Sequence, residues 1–172
     1  MNDATHFERL GLPRRFLLDE PEIERQYLAR SRQVHPDYHQ LGSTGEQNAS
    51  LELSARLNEA YVVLKDPFKR AEYLMTLEGG PTAADQKEMP PEFLEEMLEL
   101  RMEIAELPDE PDSQARSKME KKLKERRESM LNEIADDFAK FEAGGNRDTL
   151  LRSLRKRLNA LKYVQNLLRD LQ

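Results

Sequence analysis

Apolar residues along this chain recur at helical spacing almost from end to end, and no stretch alternates as a strand would. Phe7 and Leu10 lie one turn apart and predict a short first helix in "HFERLGL". Asp19, Pro21 and Glu22 give a helix start: an N-cap, a proline in the first turn and the far end of a capping box. The helix they open carries Ile23, Tyr27, Ser31 and Val34 on one face. It is predicted to stop at Val34 or His35, because Pro36 crowds the residue before it out of the α region. "HQLGSTG" reads as an exposed loop, with Thr44 and Gln47 as the next capping box. Leu53, Leu57, Ala60, Tyr61 and Leu64 form the stripe of a third helix. Asp66 and Pro67 open a fourth, bearing Phe68, Ala71, Leu74 and Leu77, and Gly79-Gly80 ends it.

"GGPTAADQKEMPP" breaks the pattern and reads as a linker. Three further helices are predicted beyond it, at about Pro91 to Leu107, Ser113 to Phe141 and Arg147 to Leu171. Short connections make neighbours antiparallel, so a three-helix bundle is the economical arrangement. The expected fold is all-α, with an N-terminal module over 1–78, a linker over 79–90 and a bundle over 91–172.

Composition narrows the chemistry. Charged residues make up 35% of the 172 and Trp is missing, which suits helices in thin layers better than one thick core. Cys is absent, which excludes disulfides, thiolate metal sites and cysteine nucleophiles. The net charge of −6 argues against nucleic acid as the main partner. No apolar run could span a bilayer, and "MNDATHFERL" has neither a signal core nor an Arg-rich leader, so no membrane and a cytoplasmic setting are expected.

The stretch "HPDYH" concentrates the candidate chemistry. His35 and His39 are four apart, but Pro36 disfavours the helix that would bring them together. No HExxH glutamate and no third ligand lies nearby, so no metal is expected. His35 and Asp37 could form an acid–base dyad, yet catalysis needs a concave, partly dry pocket and this pair sits on a polar loop. A metal-dependent hydrolase using His35, Asp37 and His39 is the enzymatic rival. As a helix cap, His35 would favour the helix dipole, which leaves the proline and aspartate after it unexplained. An interaction surface accounts for more: Arg25, Arg30 and Arg32 lie on or near the polar side of the same helix, and a basic face beside an exposed acid suits oriented docking.

His35-Pro36-Asp37 between a basic helix and a long amphipathic helix is similar to the J-domain of DnaJ-type co-chaperones. The segments "FERLGLPRRFLLDEPEIERQYLARSRQVHPD", "LNEAYVVLKDPFKRAEYL" and "PPEFLEEMLELRMEI" extend the likeness, and the chain resembles the HscB family of iron–sulfur assembly co-chaperones. That resemblance implies a helical-hairpin J-domain and a scaffold-binding bundle. It implies no enzyme activity and no cofactor. It also implies two partners, a DnaK/HscA-type ATPase chaperone and an IscU-type iron–sulfur scaffold protein. His35, Pro36, Asp37, Arg25, Arg30 and Arg32 would meet the chaperone. Tyr38 stands where J-domains commonly have Lys or Arg.

On the helix from Pro91, Phe93, Met97, Leu100, Ile104 and Leu107 form a core stripe. Leu94, Leu98 and Met102 form a second one about 100° round. That second stripe either packs against neighbouring helices or stays exposed for docking. The resemblance favours docking and implies that Leu94, Leu98, Glu99, Met102 and Tyr163 hold the scaffold, with Glu95 replacing a common apolar residue. On the last helix the expected core is Leu150, Leu154, Leu158, Leu161 and Leu168, with Tyr163 off it. "KMEKKLKERR" and "RSLRKR" lack the interleaved aromatics of a nucleic-acid surface and read as solvated faces. A general J-protein delivering unfolded polypeptides is the alternative within the same class.

Overall fold

The structure, a computed structural model, describes residues 4–35, 37, 42–110 and 113–171. Among them are seven helices and no strand. The chain divides into two compact units, Met1–Leu74 and Met75–Gln172, and the division falls inside the fourth helix.

The first unit is built on α1 (His6–Leu10), α2 (Glu20–Val34), α3 (Thr44–Lys65) and the start of α4 (Pro67–Leu77). Thr5 and Glu8 close a reciprocal capping box over α1, with Thr5 N–H donating to Glu8 Oε2 at 2.7 Å. Gly11 ends α1 at φ 63°, and the Arg30 guanidinium lies over it where a Cβ would stand. The apolar faces of α2 and α3 pack along each other and α1 rests on both. Their core holds Phe7, Leu10, Phe16, Ile23, Leu57, Ala60 and Leu64, each nearly or fully buried. A fully buried Leu or Phe contributes roughly 1.5–3 kcal/mol. Tyr27 and Tyr61 stack between α2 and α3 with ring centroids 4.1 Å apart.

Two helix starts differ in their capping from the sequence reading. α3 is capped one residue earlier than expected: Ser43 and Glu46 form the box, and Thr44 is already helical. Asp19 is the N-cap of α2, but its side chain makes no cap bond, and Glu22 pairs with Arg25 and Gln26 instead of closing a box. α2 does stop at Val34, and Asp66 Oδ1 caps α4 by accepting from the amides of Phe68 and Lys69 at 2.8 and 3.1 Å.

The α3 stripe also shifts. Leu53 is 51% exposed, bordering a depression with Arg9, Arg30, Gln33, Val34 and Leu57, while Ser50 is buried. Ser50 Oγ donates to the Val34 carbonyl at 2.6 Å, fastening the last turn of α2 to α3 just before His35. Ser50→Ala leaves that carbonyl short of a donor and is expected to cost about 1–3 kcal/mol of stability. Urea denaturation followed by circular dichroism measures it, and an unchanged midpoint would show that water replaces the hydroxyl.

The second unit holds α5 (Pro91–Ala105), α6 (Gln114–Glu142) and α7 (Arg147–Leu171) as a three-helix bundle. α5 ends two residues short of the expected Leu107, and Met97, Ile104 and Leu107 are half-buried, leaving Phe93 and Leu100 as its buried anchors. α6 and α7 pack along one another after a turn at Gly144, φ 87°. On α7, Leu150 and Leu168 are only half-buried, and Leu151, Leu154, Leu158, Ala160, Leu161 and Val164 make the core. Asp137 is buried and accepts from Ser153 Oγ at 2.8 Å and Arg157 Nε at 2.9 Å.

Within this unit the segment read as a linker has a defined path against α7. Asn159 Nδ2 donates to the carbonyls of Gln86 and Glu88 at 2.8 and 2.9 Å, and Gln86 Nε2 donates to the Arg152 carbonyl at 3.2 Å.

Candidate functional site

The end of α2 carries the first candidate site. His35 is its C-cap in extended conformation, φ −64° and ψ 132°. Its side chain is 50% exposed and that of Asp37 70%. The Asp37 amide donates to His35 Nδ1 at 3.2 Å, and the Asp37 carboxylate lies 3.4 Å from the same nitrogen. Ser31, Arg32, His35 and Asp37 border an open depression of about 450 Å³. So exposed a pair lacks the dry enclosure that acid–base catalysis uses. Among the described residues no three His, Cys, Asp or Glu side chains are grouped to hold a metal. Pro36, Tyr38 and His39 lie outside the described residues.

The three arginines do not share one face. Arg25 is exposed and pairs with Glu22, and Arg32 is exposed beside the motif. Arg30 stands two residues, about 200°, from Arg32. It turns toward α1, half-buried over Gly11, with its Nε shut from solvent and no hydrogen bond to it. That packing gives Arg30 a part in the fold that the sequence reading did not assign.

α5 presents the second candidate site. Leu94, Leu98 and Met102 are 48%, 59% and 65% exposed, whereas Phe93 and Leu100 are 1% and 2% exposed. The second stripe is therefore solvent-facing within the bundle, and Glu95 and Glu99 beside it are exposed too. Glu96 and Glu103 instead turn to α6. Glu96 receives Arg126 through two hydrogen bonds of 2.5 and 2.9 Å, and Glu103 receives Lys122 at 2.8 Å. The Glu96 bond comes first among the contacts that raise the Arg126 pKa, so this cation stays charged. Glu133 joins Arg126 to Arg157, and Arg157 reaches Asp137, so one chain of ion pairs ties α5, α6 and α7 together.

Tyr163 departs from its expected placement. It is half-buried, its ring is edge-on to Phe93 at 6.1 Å, and its hydroxyl is buried without a hydrogen-bond partner. The leucine stripe missed this because buried Ala160 and Val164 widen the covered arc of α7 toward the side that carries Tyr163. The first basic run is a paired surface, Lys121 with Glu125, Lys122 with Glu103 and Lys124 with Glu120, but the second is not the solvated face expected: Arg155 is 2% exposed, with its Nε donating to Asn159 Oδ1 at 2.9 Å, and Arg157 is half-buried in the ion-pair chain. No helix among the described residues is long and apolar enough to cross a membrane.

Residues 5–73 match the DnaJ domain, and residues 89–172 match the family described as the HSCB C-terminal oligomerisation domain. A co-chaperone protein HscB homolog of Vibrio vulnificus (strain YJ016) is 31% identical over 167 residues, covering 94% of this chain and 96% of that one. The chain belongs to the HscB co-chaperone family. Chaperone HscB from Vibrio cholerae shares its fold with a TM-score of 0.79 at 27% identity, covering 98% of this chain and 95% of that one. The human co-chaperone protein HscB superposes with a TM-score of 0.82 at 24% identity, over 99% of this chain and 82% of that one, which speaks for the fold alone. This HscB family member is thus an all-α co-chaperone with an N-terminal J-domain and a C-terminal helical domain.

Proposed function

We propose that this co-chaperone stimulates the ATPase of a DnaK/HscA-type chaperone and brings to it an IscU-type scaffold protein, promoting maturation and transfer of the scaffold's iron–sulfur cluster. The observation that carries the reading is the exposed His35–Asp37 pair at the tethered end of α2, with Arg32 beside it. His35, Pro36 and Asp37 with Arg25 and Arg32 would engage the chaperone, and Arg30 would act there largely by holding α2 to α1. The co-chaperone places no group on ATP. It acts by binding one chaperone conformation better than another, since only differential affinity shifts such an equilibrium. Leu94, Leu98 and Met102, with Glu99 alongside, support a client-docking role for α5, because exposed apolar strips on small domains mark interaction surfaces. Tyr163 would contribute at the edge of that surface through the part of its ring left accessible.

Single-turnover ATP hydrolysis by a DnaK/HscA-type chaperone tests this. Stimulation is expected with the co-chaperone alone and more than additively with an IscU-type scaffold present. No stimulation at saturating co-chaperone would overturn the chaperone arm. Binding of many denatured chains in place of one folded scaffold would replace the client arm with general delivery of unfolded polypeptides.

A further inference from the structure

We propose that Met102 is a reversible oxidation site whose sulfoxide lowers client affinity at α5; this rests on the docking reading of the Leu94–Leu98–Met102 strip. Met102, at 65%, is the most exposed large apolar side chain among the described residues, whereas Met75, Met119 and Met130 are 2%, 6% and 4% exposed. Met89 and Met97 are half-buried, so among the described methionines Met102 is the one most open to a small oxidant from solvent. The chain has no cysteine, so no thiol competes for the oxidant, and thioethers are the groups it can oxidise reversibly by two electrons.

In the step itself a peroxide gives one oxygen atom to Met102 Sδ. The O–O bond breaks, an S–O bond forms, the sulfur loses two electrons, and hydrogen peroxide is reduced to water. A dithiol, acting through a methionine sulfoxide reductase, removes the oxygen as water and becomes a disulfide. The consequence follows from position. Leu94, Leu98 and Met102 follow one another at single-turn spacing, so a polar sulfoxide on the last of them sits within the strip a client would cover. The bundle itself is spared, because α5 is anchored by buried Phe93 and Leu100 and by the neighbouring Glu103–Lys122 pair. Oxidation at this one position therefore changes docking without changing the fold, which separates a switch from general oxidative damage.

The full-length protein treated with dilute hydrogen peroxide is mapped by peptide mass spectrometry, then titrated with an IscU-type scaffold by calorimetry. Met102 is expected to oxidise first, with circular dichroism unchanged. Scaffold affinity is expected to fall about tenfold, on the scale of a buried apolar side chain, and to return with sulfoxide reductases and dithiothreitol. Met102→Leu, which has no thioether at this position, should keep whatever affinity it starts with through the same peroxide treatment. Earlier oxidation of Met89 or Met97 would overturn the proposal. So would unchanged affinity of the Met102 sulfoxide form while Leu94→Ala with Leu98→Ala still loses the client, an outcome that leaves the docking reading standing. Failure of the reduced parent to bind scaffold at all would remove the docking reading and the switch with it.

Discussion

Asp37→Ala is expected to abolish stimulation of the partner ATPase while leaving scaffold affinity and thermal stability within error of the parent. The Asp37 side chain is 70% exposed, so its loss from the free protein falls among surface substitutions that change stability by no more than about 0.5 kcal/mol. The Asp37 amide, which holds His35 Nδ1 at 3.2 Å, belongs to the backbone and survives the substitution. What is removed is the carboxylate alone. Truncating one side of a docked, hydrogen-bonded charge pair costs about 2–5 kcal/mol, so the loss should reach at least about thirtyfold in apparent affinity. Asp37→Asn separates charge from shape: if the partner offers a cation, Asn fails nearly as badly as Ala. Single-turnover hydrolysis followed over a titration of the co-chaperone is the readout. Stimulation by Asp37→Ala at the parental level would sink the assignment of this bend as the chaperone contact.

Much of this molecule was legible in its residue pattern, for identifiable reasons. Proline and glycine act locally, so the end of α2 before Pro36, the end of α4 at Gly79-Gly80 and the capping of α4 by Asp66 follow from near neighbours. The two stripes of α5 were separable at 100° per residue, and burial of Phe93 and Leu100 against exposure of Leu94, Leu98 and Met102 follows that angle. The failures are tertiary. Leu53 and Ser50 lie on neighbouring turns of α3, and only the position of the last turn of α2 decides that Ser50 is covered while Leu53 is not. A signal for Ser50 did exist, since Leu57 and Leu64 continue backward by sevens onto it. Arg30 was grouped with Arg25 and Arg32 by charge, though its helical angle sets it on the other side. Its partner, the Cβ-free surface of Gly11, could not be read from α2 alone. Tyr163 was placed by a leucine-only stripe, which undercounts a core that also uses Ala160 and Val164.

Leu94→Ala combined with Leu98→Ala is expected to weaken scaffold binding about a hundredfold without unfolding the bundle. Both side chains are about half exposed before docking, so covering them transfers substantial apolar area from water. At roughly 25 cal/mol per Å² each leucine supplies on the order of 1.4 kcal/mol to the complex, about tenfold per residue. The same exposure limits what they give the free fold. Leu100→Ala is the contrasting variant on the same helix. Leu100 is 2% exposed, and emptying its site should cost about 2–5 kcal/mol of bundle stability. Tyr163→Ala does not belong in the docking set, because its ring meets Phe93 and its hydroxyl is buried, so truncation would disturb the core as well. Tyr163→Phe keeps the packing and removes only the unpartnered hydroxyl. Calorimetric titration with scaffold, beside urea denaturation of each variant, separates the two faces of α5. If Leu94→Ala with Leu98→Ala melts the bundle as Leu100→Ala does, the strip is structural. If it keeps both its stability and its scaffold affinity, the client docks elsewhere.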